Sequence, residues 1–322
     1  MPLSRIAGLA LALAACGAAA QTYPTKSITM LVPFAAGGPT DTVARVVAQS
    51  MSKPLGQTVI VENKPSAGGI LAPEQAKNAR ADGYTLLIHH VGMATTPALY
   101  RQLRYNPLGD FDYIGLINDV PMTLIARANF PANNFKDFLA YIKKNKDKVS
   151  YANAGIGAAS HLCGMLFMSA IETDLLTVPY KGTGPAMNDL LGGQVDFMCD
   201  QTTNTTSQIK SGKVKVYGVT SLKRVPSLPD IPTLDEQGVK GFEVGIWHGL
   251  YAPKGVPKPA LDKLVAALQD TLKDDAVKKR FADLGATTYP PDKATPAALQ
   301  AHLKSEIDKW GPLIKKAGVY AD

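Results

Sequence analysis

Short apolar runs alternate along the whole chain with longer stretches whose apolar residues recur every three or four positions. Residues 27–32 form the first such run, and residues 42–51 carry the first helical spacing. Segments 58–62, 85–89, 113–116, 123–126, 149–152, 176–178, 197–198 and 214–220 read as further strands. Helix candidates of ten or more residues lie between them, which predicts βα units, largely parallel sheets and an α/β class. Segments 260–272 and 295–316 read as amphipathic tail helices by their leucine spacing. The chain passes between strands around 119–121 and again through a proline-rich stretch at 219–232. Two crossings imply two lobes: residues 21–120 and 221–322 as a discontinuous first lobe, and residues 121–220 as the second.

The junction of the first strand and helix holds Phe34, Ala35, Ala36, Gly37, Gly38 and Asp41. The two glycines permit backbone conformations that a side chain would forbid, and Thr40 or Asp41 is placed to cap the helix. A helix N-terminus offers unpaired N–H groups and partial positive charge, so this loop suits an anion; an ordinary β–α turn satisfies the same pattern. A second strand, glycine loop and helix recur with Gly155, Gly157, Ala158, Ser160 and His161. They nearly spell a dinucleotide fingerprint, but the third glycine is missing.

Several motifs in order carry a family resemblance: residues 23–41; Val-Glu-Asn-Lys-Pro at 61–65 with Ala67, Gly68 and Gly69; Asp-Gly-Tyr-Thr-Leu at 82–86; Tyr-Lys-Gly at 180–182 followed by 189–196; and Pro-Asp-Ile-Pro-Thr at 229–233. The chain resembles the Bug (TctC-like) solute receptors of tripartite tricarboxylate transporters. The resemblance implies a two-lobe periplasmic binding protein of type II-like architecture, with a small organic carboxylate held in the cleft by backbone N–H groups of the 34–41 and 155–161 loops. It implies a membrane permease as partner, no cofactor, and a monomer. Ala158 stands where the family commonly has Ser or Thr.

Gly182, in the loop after residue 180, is expected at the cleft through its backbone, with Lys181 exposed. Gln201 and Thr202 follow a strand and are candidate ligand contacts. His89 and His90 occupy positions where the family has small residues. Adjacent strand residues face opposite ways, so the pair does not share a metal, and His90 is the candidate for the cleft. Trp247 and His248 lie in another family motif. Three imidazoles and an indole near an anion loop lean toward a flat aromatic dicarboxylate such as terephthalate, beside citrate-like and short dicarboxylates.

Residues 1–20 read as a secretory leader with cleavage after Ala20, preferred over lipidation at Cys16. That places the mature protein in the periplasm, where Cys163 and Cys199 are expected as two buried thiols. The formal charge of +7 suits anionic ligands, and no basic block interleaved with aromatics suggests nucleic acid. No Gly-x-Ser-x-Gly, His-Glu-x-x-His, Walker or Cys-x-x-Cys motif points to catalysis, and no metal set is evident. The rival readings are an exported hydrolase using Ser160 and His161, and a receptor serving a signalling sensor.

Overall fold

A computed structural model describes residues 23–321. The expected leader, with Cys16, lies outside the described residues. The first strand, β1 (Ile28–Val32), runs into helix α1 (Pro39–Leu55), then β2 (Val59–Asn63), a single 3-10 turn (Ala67–Gly69), α2 (Leu71–Lys77), β3 (Thr85–His90) and α3 (Gly92–Leu99). These three strands are parallel, in the order β2-β1-β3. Helix α1 buries Val43, Val47 and Met51 against Ile28, Met30 and Val32, the stripe that its 3.6-residue spacing dictates.

Strand β4 (Phe111–Arg127) joins the two halves of the molecule. Segments 113–116 and 123–126, expected as separate strands, are parts of this one element. Residues 111–121 pair with β9 (Gly245–Pro253), while residues 122–127 pair with β7 (Phe197–Gln201) on one side and β8 (Val214–Val219) on the other. Pro121, which lacks an N–H, sits where the strand changes partners, opposite Gly245. The second chain crossing lies alongside: Thr220 Oγ1 accepts from Met122 N–H (2.9 Å) and donates to Val244 O (2.6 Å).

The second lobe continues with α4 (Phe135–Lys144), β5 (Ser150–Asn153), α5 (Ala159–Ala170), β6 (Leu176–Pro179), α6 (Thr183–Leu191) and α7 (Thr202–Lys210). Its strand order is β4-β7-β5-β6. Its core is aromatic, with Phe138 stacked on Tyr217 (4.2 Å between centroids) and edge-on to Phe197. The chain returns to the first lobe through β9, α8 (Lys258–Lys273), α9 (Asp275–Asp283), the short β10 (Thr287–Thr288) and α10 (Pro296–Ala317).

The sheets are mixed, which corrects the expectation of largely parallel ones. β9 runs antiparallel to both β3 and β4, and β4 runs antiparallel to β7 and β8. β9 is reached from β8 through the 220–244 connection, which holds no helix, and β4 follows α3 through the 100–110 loop, so neither is delivered as the parallel partner of a crossover unit. The expectation of two thiols is also overturned. Cys163 on α5 and Cys199 on β7 form a disulfide, with Cα atoms 6.1 Å apart. Both are buried, and their 36-residue separation in sequence gave no sign of their adjacency.

Candidate ligand-binding site

The loop after β1 is braced from within its own lobe. Gly37 has φ +79°, the left-handed region that favours glycine; Gly38 has φ −87° and is ordinary extended backbone that any residue adopts. Neither Thr40 nor Asp41 caps α1. Gly38 is the N-cap and makes no side-chain cap, while Pro39 opens the helix. Asp41 Oδ2 instead accepts from Gly37 N–H (3.0 Å) and Arg45 Nε (2.9 Å), and Oδ1 accepts from Asn63 Nδ2 (2.9 Å). Burial pushes the Asp41 carboxyl up, but bonds from Arg45, Gly37 and Asn63 outweigh it and hold the group below its ordinary value. Asp41 therefore stabilises the loop from behind and does not line the cavity.

The opposing loop meets the first lobe directly. Ala154 O accepts from Gly68 N–H (3.0 Å), Ile156 O from Tyr100 Oη (2.8 Å) and Gly157 O from Thr95 Oγ1 (3.2 Å). On the other side Ala35 N–H donates to Lys181 O (3.0 Å), and Gly182 packs against Ala35. Lys181 thus meets the first lobe with its carbonyl, and its side chain is exposed. Gly184 packs just as closely on Ala36 O. Gly155 and Gly157, at φ +90° and +91°, turn the loop; their N–H groups go to Asn153 Oδ1 and His161 Nδ1.

Between the loops lies a cavity of about 20 Å³, room for about one water molecule. The first lobe lines it with Phe34, Pro39, Thr40 and His90. The second lobe supplies Ala154, Ala158, Ala159, Ser160, Thr183, Asp200 and Gln201. Most of these stand at the N-caps or first turns of four helices, α1, α5, α6 and α7. The first-turn N–H groups of a helix have no intrahelical acceptor and carry partial positive charge. Ser160 Oγ accepts from Ala154 N–H (2.9 Å), leaving its own hydrogen free to donate.

The histidines divide by role. Both members of the pair are buried, because β3 lies between β1 and β9 with both faces covered. His89 Nδ1 accepts from His90 N–H and its Nε2 donates to Gly69 O, so it belongs to the framework. His90 Nδ1 accepts from Gly92 N–H (2.9 Å), which assigns the proton to Nε2, and the ring stacks on Phe34 (4.9 Å) at the cavity wall. His248 engages Asn118 Oδ1 through Nδ1 (2.9 Å) and Thr40 Oγ1 through Nε2 (3.3 Å). Desolvation lowers all three, His89 to about 4 and His248 to about 3, so the cluster is neutral at pH 7.

Several expected contacts lie elsewhere. Trp247 Nε1 donates to Glu306 Oε2 and its ring packs edge-on to His302, away from the cavity. Thr202 Oγ1 donates to Gly285 O (2.9 Å), tying α7 to the first lobe. His161 faces a separate groove with Met165 and Met168, and shares no hydrogen bond with Ser160. Asp200 opens the 200–203 stretch, expected to reach the cleft because it follows a strand, and Thr183 lies in the expected second-lobe loop at 180–185; neither is among the contacts expected from the sequence. No group of residues able to hold a metal occurs among the described residues, and no helix there is long and apolar enough to cross a membrane.

The chain is similar to known proteins over nearly its full length. It is 51% identical over 300 residues to a UPF0065 protein from the TAR-I ttuE-ttuC' intergenic region of Agrobacterium vitis, covering 93% of this chain and 87% of that one. The structure superposes on that of the periplasmic binding protein BugD with a TM-score of 0.91 and 59% identity, over 93% of this chain and 100% of that one. It superposes on MatC from Rhodopseudomonas palustris with bound malate with a TM-score of 0.87 and 40% identity, over 91% of this chain and 100% of that one. The model of the tripartite tricarboxylate transporter family receptor matches residues 43–319, and the chain belongs to that family, the TctC or Bug group of periplasmic solute-binding receptors, which are not enzymes.

Proposed function

We propose that this protein captures a small organic carboxylate between its lobes in the periplasm and delivers it to the permease subunits of a tripartite tricarboxylate transporter. The observation that carries this reading is the convergence of four helix N-termini on one small cavity. Orphan N–H groups aimed at one point hold a carboxylate without any cationic side chain, and the neutral His90 adds its Nε2–H as a further donor. MatC, at 40% identity, has malate bound.

A compact aliphatic acid is favoured over terephthalate. Of the rings expected to sandwich an aromatic ligand, only His90 reaches the cavity, and it is stacked on Phe34. Trp247 and both nitrogens of His248 are engaged elsewhere. Entry of any acid requires the jaws to part, and closure seals it from water. We further take the receptor to act as a monomer, secreted by a leader at residues 1–20. Calorimetric titration of the chain from Gln21 against succinate, malate, citrate, phthalate and terephthalate tests the reading. One-to-one binding of an aliphatic acid, with no turnover, is expected; failure of a folded protein to bind any acid would reject it.

A further inference from the structure

Within a cavity built from positive helix ends, one wall is an acceptor. Asp200, at the carboxyl end of β7, is 1% exposed and lines the cavity. Its Oδ1 accepts from Thr183 Oγ1 (2.9 Å) and its Oδ2 from Asn204 Nδ2 (2.6 Å), and the Gln201 backbone N–H is a third donor. An ionised carboxylate has about four acceptor positions, so one remains. Burial pushes the group up to about 6, against these three hydrogen bonds, which leaves it mainly ionised at neutral pH. Beside it Gln201 is 2% exposed, and its Oε1 has no hydrogen-bond partner. A buried amide oxygen without a partner forfeits the hydrogen bonds it had in water, so this pair calls for a donor from outside the protein.

We propose that Asp200, with the Gln201 amide, forms a subsite that selects carboxylates bearing a hydrogen-bond donor, a hydroxyl or an ammonium, on the carbon next to the carboxylate. The inference rests on the carboxylate reading above and deepens it. The ligand's carboxylate lies on the first turns of the helices, and its neighbouring donor meets the remaining lone pair of Asp200. A diacid without such a donor leaves the last acceptor position of Asp200 and the Gln201 amide oxygen unfilled. The acceptor arises from β7 and α7 alone, so it discriminates independently of the loop after β1.

Succinate, malate and aspartate share one four-carbon skeleton and differ at a single substituent: hydrogen, hydroxyl or ammonium. The wild-type protein should bind malate or aspartate about 10- to 100-fold tighter than succinate, the range for one hydrogen bond to a charged group. Aspartate leading malate identifies an ammonium as the partner; malate leading identifies a hydroxyl. Asp200→Asn should shrink the advantage to within about threefold, read as the ratio of affinities within the variant. An equal loss for all three acids in that variant would make Asp200 a framework residue and overturn the subsite. If the variant does not fold, the wild-type ranking decides alone. Succinate binding as tightly as the others rejects the subsite but leaves the carboxylate reading standing; no binding by any acid of a wider carboxylate panel rejects both.

Discussion

The two loops that close on the cavity are held in different ways. The loop after β1 draws its support from its own lobe, through the Asp41 carboxylate and its bonds to Gly37, Arg45 and Asn63. The loop after β5 draws much of its support from across the cleft, where the carbonyls of Ala154, Ile156 and Gly157 accept from Gly68, Tyr100 and Thr95. Every brace of the first loop lies within one lobe, whereas all three of these bonds of the second loop cross to the other. A change in the angle between the lobes would therefore spare the first set and break the second.

Acid should separate the lobes most strongly. His89 and His248, lowered to about 4 and 3, brace the first lobe. Their folded values lie below the ordinary one, so the unfolded state binds more protons in the window from about pH 6.5 to 4, and stability present above it is lost as pH falls through it. Each buried histidine contributes up to about 1.4 kcal/mol per pH unit there. The second lobe has His161 lowered to about 4 by desolvation, opposed by Asp200, raised to about 6, which gains stability as pH falls. Both tryptophans, Trp247 and Trp310, lie in the first lobe. At pH 4.5 the thermal midpoint read by tryptophan fluorescence should fall below that read by circular dichroism; coincident midpoints would refute the difference.

Replacing Cys163 and Cys199 together by alanine should cost about 2–4 kcal/mol, chiefly by freeing a loop of the unfolded chain. Denaturant unfolding measures it, and a loss under 1 kcal/mol would show that packing alone holds α5 on β7. Asp41→Ala removes the acceptor of Gly37 N–H and of one Asn63 Nδ2 hydrogen, the other staying on Phe34 O, and should cost about 1–2 kcal/mol together with ligand affinity. Unchanged affinity would show that the first jaw needs no brace. Tyr100→Phe removes one cross-cleft bond and should weaken ligand binding about 3- to 10-fold with the melting temperature of the ligand-free protein unmoved. A shift in that temperature with constant affinity would reverse the assignment.

The β1-loop-α1 unit was legible because an apolar run, a glycine pair and a 3.6-residue stripe follow one another without interruption. The centre of the fold was less so. Pro121 interrupts the apolar pattern of β4, and β9 is buried on both faces, so it shows no alternation to read. The pairing of Cys163 with Cys199 depends on how α5 lies over β7, which no local pattern encodes. The stretches holding Asp200 and Thr183 were legible as cleft segments, but not these two residues as contacts: a polar residue at a strand end or helix start is common, and only their meeting at one cavity distinguishes them. The histidine pair was expected on opposite faces, one inside and one at solvent or cleft; a central strand buries both.

Strand β4 runs unbroken through both lobes, with Thr220 lacing the second crossing to it. Residues 122–127 are paired on both edges, whereas residues 111–121 pair with β9 along their length and meet β10 only at Asn118 and Asp119. The two halves therefore share one continuous backbone ribbon, and any change in their relative orientation has to be absorbed by that strand and by the Thr220 bonds beside it.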